Sequence, residues 1–230
     1  MTTRIPVSIS RARNQRGNEI IEFALIAVLL VPTFLWVFIN GMNLVRFNQS
    51  TEINRDLGSL YIKGTDFSTY PPQQLAVRLA QGYGLTVSSF TGNQHTNNSG
   101  SGNGYVVFSQ IMYVGSTSGH TCQGASPSCV NANSYVYLQR IDFGNAGLQF
   151  NGVTVASKLG GNVGSATINT SGLVQNYLTD PNTVATSMPS LVPSTYADGQ
   201  VAYVVETFFA TPTMDFSGLP TGGLYGRTFF

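Results

Sequence analysis

Arg16-Gly17-Asn18-Glu19-Ile20-Ile21-Glu22-Phe23 opens an apolar stretch that carries no charge from Phe23 to Val45 and ends at Arg46. At about 1.5 Å of helical rise per residue, these 23 uncharged residues cover roughly 34 Å, enough to cross a hydrocarbon core of about 30 Å. The stretch predicts a membrane-spanning helix over about 23–45. It divides the chain into a short basic leader (1–17), a long hydrophobic N-terminal helix (18–63) and an exported globular domain (64–230).

A secretory signal peptide has an apolar region of about 7–15 residues and then small residues at its cleavage site. Here Phe34-Leu35-Trp36-Val37-Phe38-Ile39 stands where small residues belong, so the segment reads as a retained anchor. Arg4, Arg11, Arg13 and Arg16 precede the span, whereas Arg46, Glu52, Arg55 and Asp56 follow it with balanced sign. The positive-inside rule then places the N-terminus in the cytoplasm and the long remainder outside.

A carboxylate at the centre of a spanning helix costs about 2.5–3.5 kcal/mol on insertion scales, so Glu22 needs a physical reason. In one reading it lies near the interface and reaches water beside Glu19 and the arginines. In the other, a protease cuts after Gly17 and frees the amine of Asn18. That ammonium and the Glu22 carboxylate then stand at i and i+4 on one helical face, or pair between neighbouring subunits. Either pairing neutralises a charge held in apolar surroundings.

A basic leader, a glycine, four residues, a glutamate, an aromatic residue and a long apolar helix make up the pattern of the type IV prepilin group. Over Arg16-Gly17-Asn18-Glu19-Ile20-Ile21-Glu22-Phe23-Ala24-Leu25 and Leu29-Leu30-Val31-Pro32 this chain resembles that group, and more narrowly the TadE-like minor pilins, or pseudopilins, of tight-adherence pilus systems. The resemblance covers residues 16 to about 45 and is weak beyond. It implies cleavage by a prepilin peptidase between Gly17 and Asn18, and a part in subunit assembly for Glu22 and Phe23. It also implies a pilin-like fold, with membrane lipid, other pilin and pseudopilin subunits and an inner-membrane assembly platform as partners. The implied location is a bacterial inner membrane, with the C-terminal domain periplasmic or extracellular, or the pilus itself. Glu19 departs from the small or apolar residues that family members often carry at its position.

Within the span, Pro32 and Gly41 weaken the helix locally, which membrane helices tolerate where neighbours or local distortion satisfy the freed carbonyl. Trp36, with Asn40 and Asn43 nearby, suits the outer interface. Past Arg46, Phe47, Ile53, Leu57, Leu60 and Tyr61 recur at mostly helical spacings, predicting that the helix continues amphipathically until Gly64 stops it. A second helix is expected from Pro71 to about Gln81, with prolines in its first turn and Gly82 behind it. The composition then shifts to Gly, Ser, Thr, Asn, Val and Tyr. Strands are expected over 105–114, 135–143 and 200–209, with weaker ones over 85–90, 153–157 and 224–229, and Gly/Ser/Asn-rich loops over 92–104 and 159–169. The expected class is α+β: the long helix, a second helix, then an antiparallel sheet.

Charged residues make up only 9% of the chain and the formal net charge is +1, which leaves no face-wide field for nucleic acid. Cys122 and Cys129, the only cysteines, flank Gln-Gly-Ala-Ser-Pro-Ser, a turn-forming sequence. A disulfide there fits export and closes a short loop, worth roughly 2–3 kcal/mol in the loop-entropy picture. A metal pair with His120 lacks a fourth ligand at a recognisable spacing, and the six intervening residues do not match a redox CxxC.

The usual catalytic patterns are missing from the sequence, and no cofactor is called for. His95 and His120 lie in Gly/Ser/Asn-rich segments; Thr117 occupies the centre of the one pentapeptide that resembles a nucleophile elbow; and Lys158–Gly164 lacks a P-loop ending. Asp142, Asp180, Asp198, Glu206 and Asp215 read as solvated turn and strand-edge charges, with Glu206 and Arg227 as a candidate cross-strand pair worth about 0.2–1 kcal/mol. The C-terminal strand reads as a core strand closing the domain, with a subunit contact through an open sheet edge as the alternative. The leading function is a minor pilin-like subunit in pilus assembly. The alternatives are an uncleaved anchored scaffold of the assembly machinery and a membrane-tethered enzyme, which would need a deep pocket with two convergent ionisable groups.

Overall fold

A computed structural model describes residues 11–124, 129–192, 196–210 and 223–230, with side chains from Glu19 onward. Two units make up the chain, Met1–Arg46 and Phe47–Phe230. The first helix, α1 (Arg11–Ile62), begins in one and ends in the other.

In the first unit, the described residues form the part of α1 that is long and apolar enough to cross a membrane, and none of its most apolar stretch is buried. Phe23 is 73% and Trp36 65% exposed. An uninterrupted apolar surface on a helix belongs in lipid or in a protein core. Thr33 and Asn40 turn their donors back onto the carbonyls of Leu29 and Trp36, at 2.6 and 2.7 Å, which satisfies them without water. Pro32 lies inside the helix without ending it.

In the second unit, α1 ends where the sequence places its stop. Thr65 N–H donates to Leu60 O at 3.1 Å and Gly64 N–H to Tyr61 O at 3.0 Å. Gly64 adopts a φ of +86°; this is a Schellman ending, in which glycine takes the left-handed position at no Cβ cost. Helix α2 (Tyr70–Leu79) has Pro71 and Pro72 in its first turn and gives way to a 3-10 turn, Gln81–Tyr83, slightly before the expected end.

The strands are β1 (Thr96–Asn98), β2 (Gly104–Val114), β3 (Ser134–Gly144), β4 (Gln149–Phe150), β5 (Val153–Thr154), β6 (Val201–Ala210) and β7 (Gly223–Phe229), with the short helix α3 (Met188–Leu191) before β6. β4 and β5 form a separate hairpin, and the main sheet has the order β1-β3-β2-β6-β7. The main sheet is mostly antiparallel; the exception corrects the expectation, since β1 runs parallel to β3 and lies in a segment read as loop. The strand expected over 85–90 does not form. A side chain replaces its ladder: Asn97 Nδ2 donates to Ser88 O at 2.8 Å, and Ser88 N–H donates to Asn97 Oδ1 at 3.2 Å. The strand expected over 153–157 shrinks to β5. Between Gln110 and Ile111 the β2–β3 register shifts, because Gln110 faces Gln139 while Ile111 faces Tyr137, leaving Leu138 as a bulge.

One sheet face buries Val106, Phe108, Ile141, Phe143, Val205 and Phe209 against Leu57 and Tyr61 of α1 and Ala76 of α2. Phe67 stacks on Phe108 at 4.1 Å between centroids, and Tyr61 meets Phe108 edge-on at 5.1 Å. Asn54, buried on α1, ties the helix to the β6–β7 edge. With its amide oxygen towards β7 it accepts from Arg227 N–H at 3.0 Å and Thr228 Oγ1 at 2.9 Å, and its NH2 donates to Val205 O at 3.2 Å. The opposite face is covered by the connections between β3 and β6 and carries two apolar clusters, one around Tyr137, Leu159 and Met188, the other around Val107, Leu148 and Phe208. The architecture is therefore α+β, with a polar strip between the two clusters.

Candidate functional site

Four residues singled out in the sequence belong to the start of α1. Gly17 and Asn18 lie in its backbone, their side chains outside the described residues, as are residues 1–10 altogether. Glu22 and Phe23 are exposed on α1. They begin the surface that is apolar enough for lipid, so the carboxylate sits at the margin of that surface rather than at its middle.

Cys122 and Cys129 form a disulfide, with Cα atoms 5.5 Å apart. Cys122 lies in a 3-10 turn, His120–Gly124, and Asp198 braces the turn from another loop. Its carboxylate accepts from Gly115 N–H at 2.7 Å, from Thr121 N–H at 3.1 Å and from the Thr121 hydroxyl. The Thr121 hydroxyl first, then the two backbone donors, pull the Asp198 pKa down to about 2. His120 is exposed on this turn. Among the described residues, no group of three His, Cys, Asp or Glu side chains could hold a metal ion.

On the sheet face away from α1 and α2, a cavity of about 340 Å³ opens beside β3. Arg140 and Asp142 of β3, Tyr105 of β2 and His95 and Thr96 beside or in β1 form its polar side; Val163, Gly164, Ala166 and Ile168 form the facing wall. The strand period explains the pairing: Arg140 and Asp142 are two residues apart and so share one face. Tyr105 donates to Asp142 Oδ2 at 3.0 Å, and Thr96 Oγ1 lies 3.4 Å from Asp142 Oδ1. Burial, then the Asp142 charge, raises the Tyr105 pKa well above the usual phenol range. Burial disfavours the Arg140 charge, but Tyr137, Tyr105, Asp142 and Glu206 more than offset it, and its pKa lies above the ordinary guanidinium value. Arg140 is thus a fixed cation beside an acceptor.

The polar strip continues across the sheet. Asp142 and Glu206 both stand opposite Val107, so their Cα atoms are two strand spacings apart, about 9.6 Å. Glu206, read from the sequence as a solvated strand-edge charge, is fully buried. It faces Arg227 in the register as expected, yet its oxygens are taken by other donors: Lys158 N–H at 2.9 Å, Tyr225 OH at 2.8 Å and the Ser157 hydroxyl. Arg227 lies over the Phe229 ring at 5.1 Å. Tyr137, whose hydroxyl donates to Gly160 O at 2.8 Å, has its pKa raised by burial to about 12. Ser109 Oγ, opposite Arg140 in the register, is buried without a partner among the described residues. Asp180 caps the 3-10 turn Pro181–Thr183, and Asp215 lies outside the described residues.

The polar cavity was missed in the sequence, although a signal was there. In a chain with 9% charge, Gln139-Arg140-Ile141-Asp142 puts two opposite charges on one face of a long strand whose neighbours are apolar. Comparisons with known protein families, characterised proteins and solved structures match nothing to this chain.

Proposed function

We propose that this chain is a minor pilin-like (pseudopilin) subunit that takes part in assembling a tight-adherence, type IV-related surface pilus. In this proposal a prepilin peptidase processes it after Gly17. The observation that carries the reading is Glu22-Phe23, five residues past Gly17, at the start of a helix whose apolar surface is exposed over the length of a membrane. Once the helix is drawn into lipid or packed against neighbouring subunits, that carboxylate is costly alone and stable beside an α-ammonium, which is what the cleavage supplies. The outer α+β domain, with its disulfide and sparse charge, suits a surface on the oxidising side of the membrane. Its partners are then other pilin and pseudopilin subunits, the assembly platform and lipid.

The test is piliation of the native cell after Glu22→Ala, with a strain lacking the chain as reference. The proposal expects the variant to accumulate in the membrane at parental levels while pili are lost, as in the reference strain. Pili at the parental level with Glu22→Ala, in a system where loss of the chain abolishes them, would overturn it.

A further inference from the structure

The cavity beside β3 has no part in the assembly proposal, and its chemistry is specific. Its polar side presents one fixed cation, Arg140, and one carboxylate, Asp142, on the same strand face, about 7 Å apart at Cα. The opposite wall, from the 163–168 segment, is apolar. Tyr105 and Thr96 spend hydroxyl hydrogens on Asp142, which orients the carboxylate and leaves it further lone pairs. The volume of about 340 Å³ lies at the lower end of small-molecule sites, about 300–1,000 Å³.

We propose that this cavity binds a free α-amino acid with a small apolar side chain. Arg140 takes the ligand's carboxylate in a bidentate pair, Asp142 takes its ammonium, and Val163, Ala166 and Ile168 receive the side chain. The sign pattern argues for a zwitterion over other ligands. A simple anion drawn to Arg140 meets Asp142, a simple cation drawn to Asp142 meets Arg140, and a neutral polyol brings no charge to either group in place of the water it displaces. A net-neutral ligand with both charges close together satisfies both groups. The small volume and one apolar wall limit it to a single residue rather than a peptide.

Isothermal titration of the full chain in detergent micelles tests this, with L-leucine, leucinamide, N-acetyl-leucine and glucose as probes. The expected result is saturable binding of L-leucine, with leucinamide and N-acetyl-leucine each weaker by about 10- to 100-fold and no binding of glucose. Arg140→Gln and Asp142→Asn should each weaken leucine binding by a similar factor. Because either can disturb the sheet, Ala166→Phe provides a second arm: it fills the cavity from the loop side, leaves both charges in place, and should abolish binding while the thermal unfolding midpoint stays at the parental value. Absence of leucine binding up to about 10 mM, equal affinity for either capped analogue, glucose binding at the leucine level, or retained binding in Ala166→Phe would each overturn the proposal.

Discussion

Glu206 offers a sharp quantitative test of the second unit. It is fully buried, yet its two oxygens collect Lys158 N–H, Tyr225 OH and the Ser157 hydroxyl, tying β6 to β7 and to the connection that covers the sheet. Hydrogen bonds to a charged group contribute about 1.5–3 kcal/mol each, and burying the carboxylate costs several kcal/mol against them. The net value of the intact group is therefore modest, while its removal is not: Glu206→Ala strands three donors and opens a cavity, for an expected loss of about 3–5 kcal/mol. Glu206→Gln keeps the shape and one acceptor oxygen but turns an NH2 towards a donor, for a loss of about 1.5–3 kcal/mol. Urea unfolding of the full chain in micelles, followed by the near-ultraviolet circular dichroism of its 11 tyrosines, reads both. A cycle with Tyr225→Phe should show a coupling of about 0.5–3 kcal/mol. A Glu206→Gln variant within about 0.5 kcal/mol of the parent, with no coupling to Tyr225, would refute the claim that these bonds hold the layers together.

Glycine substitutions separate two kinds of crowding. At Gly161, with φ +87°, a Cβ would lie 2.0 Å from the Val184 carbonyl oxygen, so Gly161→Ala should cost more than about 2 kcal/mol in the same unfolding assay. At Gly58 a Cβ meets only the far end of the Phe230 ring, which is partly exposed and can swing aside; with Ala favoured over Gly in a helix by about 1 kcal/mol, Gly58→Ala should be near neutral. Asp198 has a folded pKa of about 2, below its unfolded value of about 3.9. Its contribution is thus complete above about pH 4 and lost as pH falls towards about 2: Asp198→Asn should be less stable than the parent at pH 6 and converge with it in acid. Tyr137 has the opposite sense, since a folded pKa of about 12 above an unfolded value of about 10 means stability is lost as pH rises between those values; Tyr137→Phe should flatten the alkaline limb of the stability curve. Replacing Cys122 and Cys129 with serine should cost about 2.5 kcal/mol through loop entropy, again read by urea unfolding.

The elements legible in the sequence are those whose apolar residues recur at helical spacing or run for the length of a strand. Leu57 and Tyr61 recur at helical spacing and do enter the core, and Gly64 ends α1 because its positive φ is one glycine takes freely. Strands β2, β3, β6 and β7 are seven or more residues long and rich in β-branched and aromatic side chains, and β2 and β6 are buried along nearly their whole length. β1 was hidden because Thr96-Asn97-Asn98 has no apolar alternation and its ladder depends on where β3 lies. The expected 85–90 strand failed for the converse reason: Leu85 is buried, but Asn97 captures the backbone at Ser88. Glu206 looked like an edge charge because the donors that hold it at Ser157 and Lys158 are nearly 50 residues away. The cavity needed the same tertiary knowledge, since Arg140 and Asp142 share a strand while Val163 and Ala166 arrive from a loop.

The central claim is that Glu22 is tolerated at the edge of the lipid-facing helix because cleavage after Gly17 frees the α-amino group of Asn18, four residues before it, which balances it. The most direct measurement is the intact mass and N-terminal peptide of the chain recovered from the native membrane and pilus fractions. The account predicts a chain beginning at Asn18, with residues 1–17 gone. A mature chain that still begins at Met1 would contradict it.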